Sequence, residues 1–162
     1  MVMQNYKDFL DSGIYEFYEG NFKNAIELFN KSIELNKEFS VTYFYRGASY
    51  HSIEEYDEAM MDYTKAINLD SQMTDAYYNR ARVILSRKDI QNPDIQMAVA
   101  DLNKALELDE NFSDALYALA AAYKKLGDYH KTLEYLERLL QISPEHVFGR
   151  ALKKLILQKY IV

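Results

Sequence analysis

The 162-residue chain has no cysteine, only two prolines and only five glycines. The lack of cysteine excludes disulfides and thiolate metal sites. No apolar run approaches the ~18 residues of a membrane span, and the opening MVMQNYKDFLD lacks the apolar core of a signal peptide. The scattered glycines form no phosphate-binding loop. We therefore expect no membrane insertion and a cytoplasmic location.

Positive charge is also scarce, since 19 Lys and Arg residues face 25 Asp and Glu residues, giving a net charge of −6. Proteins that bind nucleic acids usually gain affinity by neutralising phosphates, so we expect no nucleic-acid partner. Hydrophobic residues make up 49% of the chain, including 15 tyrosines, which is typical of an ordered protein. The length suits a single domain spanning residues 1–162.

One nine-residue segment occurs in two similar copies, DYTKAINLD at 62–70 and DLNKALELD at 101–109. Two more distant copies are ELFNKSIELN near residue 27 and EYLERLLQIS near residue 134, so the spacings are 34, 39 and 34 residues. Apolar residues recur within each copy at steps of three and four, which is helical periodicity. The chain therefore contains four repeats of about one helical hairpin each.

Start and turn signals divide each repeat into two helices. Ser40, Thr74 and Ser113 stand where a first helix begins, and their hydroxyls are expected to cap its free backbone N–H groups. The predicted turns between the two helices are Gly20-Asn21, Glu54-Glu55 and Gly127-Asp128. The repeats then span about 6–39, 40–73, 74–112 and 113–146.

Large and small residues alternate in columns at fixed offsets through these repeats. The columns are Phe9, Tyr43, Tyr77, Leu116; Gly13, Gly47, Ala81, Ala120; Ala25, Ala59, Ala98, Thr132; and Phe29, Tyr63, Leu102, Leu136. This pattern resembles the tetratricopeptide repeat (TPR) family over roughly residues 6–146. The resemblance implies an all-α fold, a right-handed superhelical α-solenoid of antiparallel helix pairs.

A further helix at about 147–162 follows Pro144 and resembles the helix that closes a TPR array. Its predicted packing stripe is Phe148, Leu152, Leu155 and Ile156. Leu157, Ile161 and Val162 are more apolar than a simple cap requires. Contact of this outer surface with another chain is therefore an alternative use of the helix.

The 39-residue spacing places five extra residues in the third repeat. Asn92 is expected to cap the second helix there, with Pro93 in its first turn. The insertion would then lengthen the first helix, the loop or both, through residues 86–91. One interpretation is a tolerated loop extension, and the other is a projecting contact ridge that uses Arg87, Lys88 and Ile90.

Residues with catalytic or metal-binding chemistry are few. His51, His130 and His146 fall in different parts of the array without the spacing of metal ligands. The acidic run at 54–58 suits the positive end of a helix dipole better than acid–base catalysis. We predict no enzyme activity, no cofactor and no metal site.

A second stripe on the first helices indicates a binding surface, which by similarity to TPR arrays faces the concave groove. The candidate partner-binding residues are Leu10, Ile14, Phe17, Val41, Phe44, His51, Tyr78, Asn79, Arg82, Tyr117 and Lys124. The stripe begins apolar and later becomes aromatic and basic, as interface anchors often are. An alternative for its apolar start is shielding by the superhelix or by residues 1–4.

These observations predict a non-enzymatic interaction module or adaptor that binds a partner peptide or helix in the groove. Acidic residues of that partner would meet Arg82 and Lys124. Some TPR co-chaperones clamp a C-terminal carboxylate with Lys, Asn and Arg, but only Asn79 fits such a clamp here, which disfavours it. The alternative is a structural, homo-oligomeric TPR protein that assembles through the groove or the C-terminal helix.

Overall fold

A computed structural model describes residues 5–160, which form nine α-helices and no strand. The helices are α1 Tyr6–Tyr18, α2 Phe22–Leu35, α3 Ser40–Ser52, α4 Tyr56–Leu69, α5 Thr74–Ser86, α6 Asn92–Leu108, α7 Ser113–Leu126, α8 Tyr129–Ile142 and α9 Val147–Lys159. None of these described helices has the length and hydropathy of a membrane span. The predicted all-α solenoid class is confirmed.

Contacts divide the chain into two compact units, Met1–Val83 and Ile84–Val162, with the division inside α5. In the first unit α1 packs on α2, α2 on α3 and α3 on α4. In the second unit α6 packs on α7, α7 on α8 and α8 on α9. Within each unit these helices thus pack on their neighbours in sequence, as in repeat proteins. We call α1, α3, α5 and α7 the first helices and α2, α4, α6 and α8 the second helices.

Glycines allow the two helices of a pair to approach closely in the first unit. A Cβ placed on Gly13 would lie 2.5 Å from Cε1 of Phe29, and one on Gly47 would lie 3.2 Å from Cβ of Asp62. Phe29 and Tyr63 are fully buried at these crossings. The predicted columns of small and large residues therefore reflect direct packing, in which a glycine of a first helix contacts an aromatic ring of a second helix.

A largely buried ion pair and a hydrogen bond of the same arginine join three helices of the first unit. Arg46 of α3 donates from Nε and Nη2 to the two carboxylate oxygens of Asp62 in α4, each at 2.7 Å. Its Nη1 donates to Oδ1 of Asn30 in α2 at 2.6 Å. The Arg46 and Asp62 side chains are only 19% and 7% exposed. Asp62, the first residue of the DYTKAINLD segment, is thus one member of this ion pair.

The predicted hydroxyl caps of Ser40 and Ser113 are wrong. Helices α3 and α7 begin at these serines, and Phe39 and Phe112 hold the N-cap positions without a side-chain cap bond. The Ser113 hydroxyl instead lies 3.0 Å from that of Ser143. The Phe39 ring packs edge-on against Tyr6 with centroids 5.3 Å apart, so burial of an aromatic side chain outweighs capping at this position.

The three predicted turns are confirmed, and each contains a residue in the left-handed backbone region. Gly20 has φ of 79° and Gly127 has φ of 78°, where glycine carries no steric penalty. Glu54 occupies the equivalent place in the second repeat with φ of 63°. The second hairpin therefore makes the same turn with a residue that is strained in it.

The five extra residues of the third repeat do not lengthen its first helix, because α5 and α3 both have 13 residues. The loop 87–91 has two residues more than the loop 53–55, and α6 has 17 residues where α4 has 14. Pro93 lies in the first turn of α6 as predicted, but Gln91 is the N-cap in place of Asn92. The backbone N–H of Gln91 donates to Oδ2 of Asp94 at 2.9 Å.

The buried face of α9 agrees with the predicted stripe at Ile156, and Leu152 is half-buried, but the prediction is wrong for Phe148 and Leu155. Gly149 and Ile156 are buried, whereas Phe148 is 69% and Leu155 41% exposed. A Cβ on Gly149 would lie 2.9 Å from Cδ2 of Leu139, so this glycine lets α9 approach α8. Gly149 thus takes the place predicted for Phe148 on the face of α9 that packs against α8. Ile161 and Val162 lie outside the described residues, as do residues 1–4.

Candidate partner-binding site

A cavity of about 220 Å³ lies within the first unit, beside Tyr63. It is lined by Phe17 of α1, by Ala48, His51 and Ser52 of α3, by Tyr63 of α4, and by Asn79 and Arg82 of α5. We call it the Tyr63 cavity. Four of the predicted site residues, Phe17, His51, Asn79 and Arg82, meet here although they come from three different helices.

Arg82 is the cation of the Tyr63 cavity and is held at its rim by two neighbours on α5. Its Nη1 donates to Oδ1 of Asn79 at 3.2 Å, and its guanidinium lies 5.6 Å from the ring centroid of Tyr78. Asn79 is itself fixed, because its Nδ2 donates to the carbonyl of Asp75 at 2.8 Å. The exposed guanidinium therefore has a defined position beside the cavity.

His51 forms another part of the lining, and its ring lies 5.9 Å from that of Tyr56. Burial lowers the pKa of His51 below its ordinary value of 6.5, and the charge of Arg82 lowers it further. The imidazole is therefore mostly neutral at pH 7. Arg82 is the principal positive charge of the cavity.

Tyr63 is fully buried, and its hydroxyl has no hydrogen-bond partner in the described part of the chain. Burial raises the pKa of Tyr63 well above its ordinary value, so the hydroxyl keeps its proton and can donate it. The repeat columns predict only a packing role for Tyr63. The available signal was chemical, because the other members of its column, Phe29, Leu102 and Leu136, carry no polar atom.

The apolar start of the predicted surface is largely part of the core. Leu10 is 5% exposed and clusters with Ala25 and Phe29, which corrects its assignment as a binding residue. Ile14, Phe17 and Val41 are half-buried against the same cluster. Phe44 packs against two core clusters, with its ring 5.8 Å from that of Tyr63. Shielding by the fold therefore accounts for most of this apolar stripe.

Tyr117 and Lys124 belong to the second unit. The Tyr117 ring lies 5.2 Å from that of His146 and 6.4 Å from that of Phe148, so it helps to pack the chain entering α9. Lys124 lies in the last turn of α7, where a cation suits the helix dipole. That these two residues share a surface with the Tyr63 cavity stays a prediction. The described residues contain no group of three or more His, Asp or Glu side chains that could hold a metal ion.

Family models of the tetratricopeptide repeat match most of the described helices. One described as tetratricopeptide repeat matches residues 13–39 and 42–73. A second, described as TPR repeat, matches 91–127. A third, described as Fis1 C-terminal tetratricopeptide repeat, matches 113–161.

Solved structures have the same fold. The MamA protein superposes with a TM-score of 0.85 at 23% identity, over 94% of this chain and 81% of that chain. The first TPR of Spaghetti (RPAP3), bound to the HSP90 peptide SRMEEVD, superposes with a TM-score of 0.71 at 22% identity, over 76% of this chain and 94% of that one.

Among curated proteins, human tetratricopeptide repeat protein 12 is 30% identical over 79 residues, which are 49% of this chain and 11% of that protein. Human serine/threonine-protein phosphatase 5 is 37% identical over 65 residues, which are 40% of this chain and 13% of that protein. The phosphatase matches only through its TPR portion. The repeated helix pairs and the TPR matches in both units show that this chain belongs to the tetratricopeptide repeat family.

Proposed function

We propose that this chain is a non-enzymatic interaction module that binds a peptide or helix of a partner protein at the Tyr63 cavity. The observation that carries the proposal is the meeting of Phe17, His51, Asn79 and Arg82, from three first helices, around one opening. Membership of the TPR family supports it, as does a structural neighbour that holds a peptide. A role as a cytoplasmic adaptor is part of this proposal.

The chemistry of the lining favours binding over catalysis. Phe17 and Ala48 supply an apolar wall, and Arg82 supplies a fixed cation. Ser52 follows His51, but its hydroxyl donates to the carbonyl of Ala48 at 2.9 Å. A serine nucleophile needs a base that accepts its proton, and this serine gives its proton to the backbone.

Affinity capture with purified full-length chain tests the proposal. We expect partners retained by the wild type to be lost by Arg82→Glu, because the substitution reverses the charge beside the cavity. The matched control is Arg138→Glu on the second helix α8, an exposed arginine far from the cavity in sequence. If Arg82→Glu and Arg138→Glu retain the same proteins as the wild type, the Tyr63 cavity is not the binding site.

Self-association through α9 is a second candidate, favoured by the exposed apolar residues of that helix. Phe148 and Leu155 are seven residues apart and lie on one helix face, both exposed. Light scattering over a range of concentrations tests this candidate. A molar mass that rises with protein concentration in the wild type but not in Phe148→Glu would support self-association through α9. A wild type that is monomeric at every concentration would exclude it.

A further inference from the structure

Exposed apolar side chains are concentrated on α1 and α9, the first and last helices that the structure describes. Of the eleven large hydrophobic side chains that are exposed within residues 5–160, six lie on these two helices: Tyr15, Tyr18, Val147, Phe148, Leu155 and Leu157. The end helices of a repeat array ordinarily have a polar outer face, which keeps the array soluble. Apolar content on both helices therefore indicates surfaces that contact another chain.

The exposed face of α1 is acidic and rich in tyrosine. Its members are all exposed, and each lies three or four residues from another member, so they share one side of the helix. They are Asp8, Asp11, Tyr15, Tyr18 and the C-cap residue Glu19. We call this set the acidic face. It presents carboxylates beside two phenol rings, on the side of α1 away from the buried Leu10.

The exposed face of α9 is basic and apolar. Helix α9 carries four Lys and Arg residues and no Asp or Glu, in a chain whose net charge is −6. Its exposed residues at steps of three, four and three are Val147, Arg150, Lys154 and Leu157. We call this set the basic face. Arg150 pairs with the exposed Glu145 at 3.0 Å, whereas Lys154 has no ion pair in the described residues and can receive a carboxylate of another molecule.

The acidic and basic faces complement each other but not themselves. Two basic faces brought together would oppose Arg150 and Lys154 of one copy to the same cations of another, and two acidic faces would oppose carboxylates. Such like-charge contacts suppress pairing at an interface. A basic face on an acidic face instead supplies cations to carboxylates and aliphatic side chains to tyrosine rings. Because one chain carries both faces, a second copy of the chain supplies the complement.

We propose that the basic face of α9 in one copy docks on the acidic face of α1 in the next copy. This inference rests on the self-association candidate of the proposed function and names the surface that α9 meets. The contact is heterologous, so a dimer keeps one free face of each kind and association can continue. Four or five residues on each face are far fewer than the roughly 20–30 residues a side of a stable interface, so association is expected to be weak and reversible.

Charge reversal on each face tests the docking with the full-length chain. The α1 variant is Asp11→Lys with Glu19→Lys, and the α9 variant is Arg150→Glu with Lys154→Glu. Sedimentation velocity over a range of concentrations measures the association constant. We expect the wild type to associate reversibly and each variant to associate at least about tenfold more weakly, because like charges then face each other.

A matched control separates the docking from the effect of net charge. Glu27→Lys with Glu134→Lys reverses two exposed glutamates on the second helices α2 and α8, and changes the net charge as the α1 variant does. We expect this control to associate as the wild type does. An equal loss in the control and the α1 variant would contradict docking at the acidic face.

Mixing the α1 variant with the α9 variant tests the pairing itself. Each reversed face then meets a face of opposite charge in the other variant, and the two unaltered faces also match. We expect the mixture to associate nearly as strongly as the wild type, although each variant alone does not. A mixture that associates no more strongly than the separate variants would overturn the proposal.

The remaining outcomes distinguish this inference from the proposed function. If the α1 variant associates like the wild type and Phe148→Glu does not, self-association through α9 stands and docking on α1 fails. If the wild type is monomeric at every concentration, both fail. Wild type that stays monomeric but floats with vesicles of phosphatidylcholine and phosphatidylserine would assign the basic face to an anionic lipid surface. Binding at the Tyr63 cavity is tested separately, by capture with Arg82→Glu.

Discussion

At the scale of single residues, the ring of Tyr63 stabilises the fold and its hydroxyl destabilises it. The small Gly47 lies against the Tyr63 ring, with a hypothetical Cβ 3.3 Å from Cδ1, and this close packing stabilises the helix pair. The hydroxyl at the other end of the same ring has no partner in the described residues and opposes folding. The ring and the hydroxyl of one side chain therefore have opposite effects on stability.

Tyr63→Phe is expected to raise the free energy of unfolding by about 1 kcal/mol or more, because it removes an unpaired buried hydroxyl and keeps the ring. Tyr43→Phe should lower it by about 1 kcal/mol, since that hydroxyl donates to the Lys37 carbonyl at 3.1 Å. Urea unfolding of the two variants beside the wild type measures both changes. A loss of stability in Tyr63→Phe would show that its hydroxyl has a partner in solution.

The free energy of unfolding should decrease as the pH falls below 6.5, through His51. Burial and Arg82 place the folded pKa of His51 below its ordinary value, so the unfolded chain binds the proton first as the pH falls. The stabilisation that neutral His51 contributes is fully present above pH 6.5 and is lost as the pH falls from 6.5 to the folded pKa. An NMR titration of the imidazole gives the folded pKa directly.

Arg82→Gln should raise the folded pKa of His51, because it removes the nearby positive charge. Arg138→Gln serves as the control and should leave the titration unchanged. An unaltered His51 titration in Arg82→Gln would mean that the two side chains do not interact across the Tyr63 cavity.

At the scale of helices and turns, the turn at residue 54 is a strained copy of the turn at residue 20. Glu54→Gly is expected to raise the free energy of unfolding by about 0.5–1 kcal/mol, because glycine takes the left-handed conformation without the penalty of a Cβ. Gly20→Ala should lower it by about 1 kcal/mol for the converse reason. Thermal unfolding of both variants measures this, and a destabilised Glu54→Gly would refute the account of strain.

The Arg46–Asp62 pair links α3 to α4, and breaking it should cost more than breaking a surface pair. Asp62→Ala leaves the Arg46 guanidinium buried without its carboxylate and is expected to cost about 3 kcal/mol. Replacing both partners with Met and Leu should restore much of that loss. Glu107→Ala removes the exposed partner of Lys104 and should cost less than about 1 kcal/mol. Denaturant unfolding measures the free energy of unfolding of each variant, and an equal loss in Asp62→Ala and Glu107→Ala would contradict the argument from burial.

Helix identity and turn position could be predicted from the sequence, whereas several ends and faces could not. The columns around Gly13 and Gly47 follow helical periodicity, so they were readable along the chain. The N-cap of α3 could not be predicted, because Phe39 packs its ring against Tyr6 of α1, a contact between residues far apart in the sequence. The whole buried face of α9 could not be predicted, because Gly149 indicates close approach only once Leu139 is known to lie opposite it.

At the scale of the whole molecule, the sequence again predicts some features of the candidate site and not others. First-helix spacing placed Phe17, His51 and Arg82 on one type of surface, because repeats stack in register. It could not reveal that Leu10 lies in the core, since its burial depends on contacts with Ala25 and Phe29 of α2. Nor could it reveal the missing partner of the Tyr63 hydroxyl, because absence of an acceptor is a property of the folded surroundings.

The two compact units should differ in their response to core substitutions, because repeat proteins are stabilised by contacts between neighbouring elements. Phe29→Ala and Leu136→Ala each empty a fully buried position, one in each unit, and are expected to cost about 3–5 and 2–5 kcal/mol. Native-state hydrogen exchange should show the loss of protection mainly in α1–α4 for Phe29→Ala and mainly in α7–α9 for Leu136→Ala. Glu107→Ala is the control, because it replaces an exposed side chain and empties no buried position. Equal loss of protection across all helices in both variants would mean that the chain unfolds as one cooperative body, and the division into units would then have no energetic counterpart.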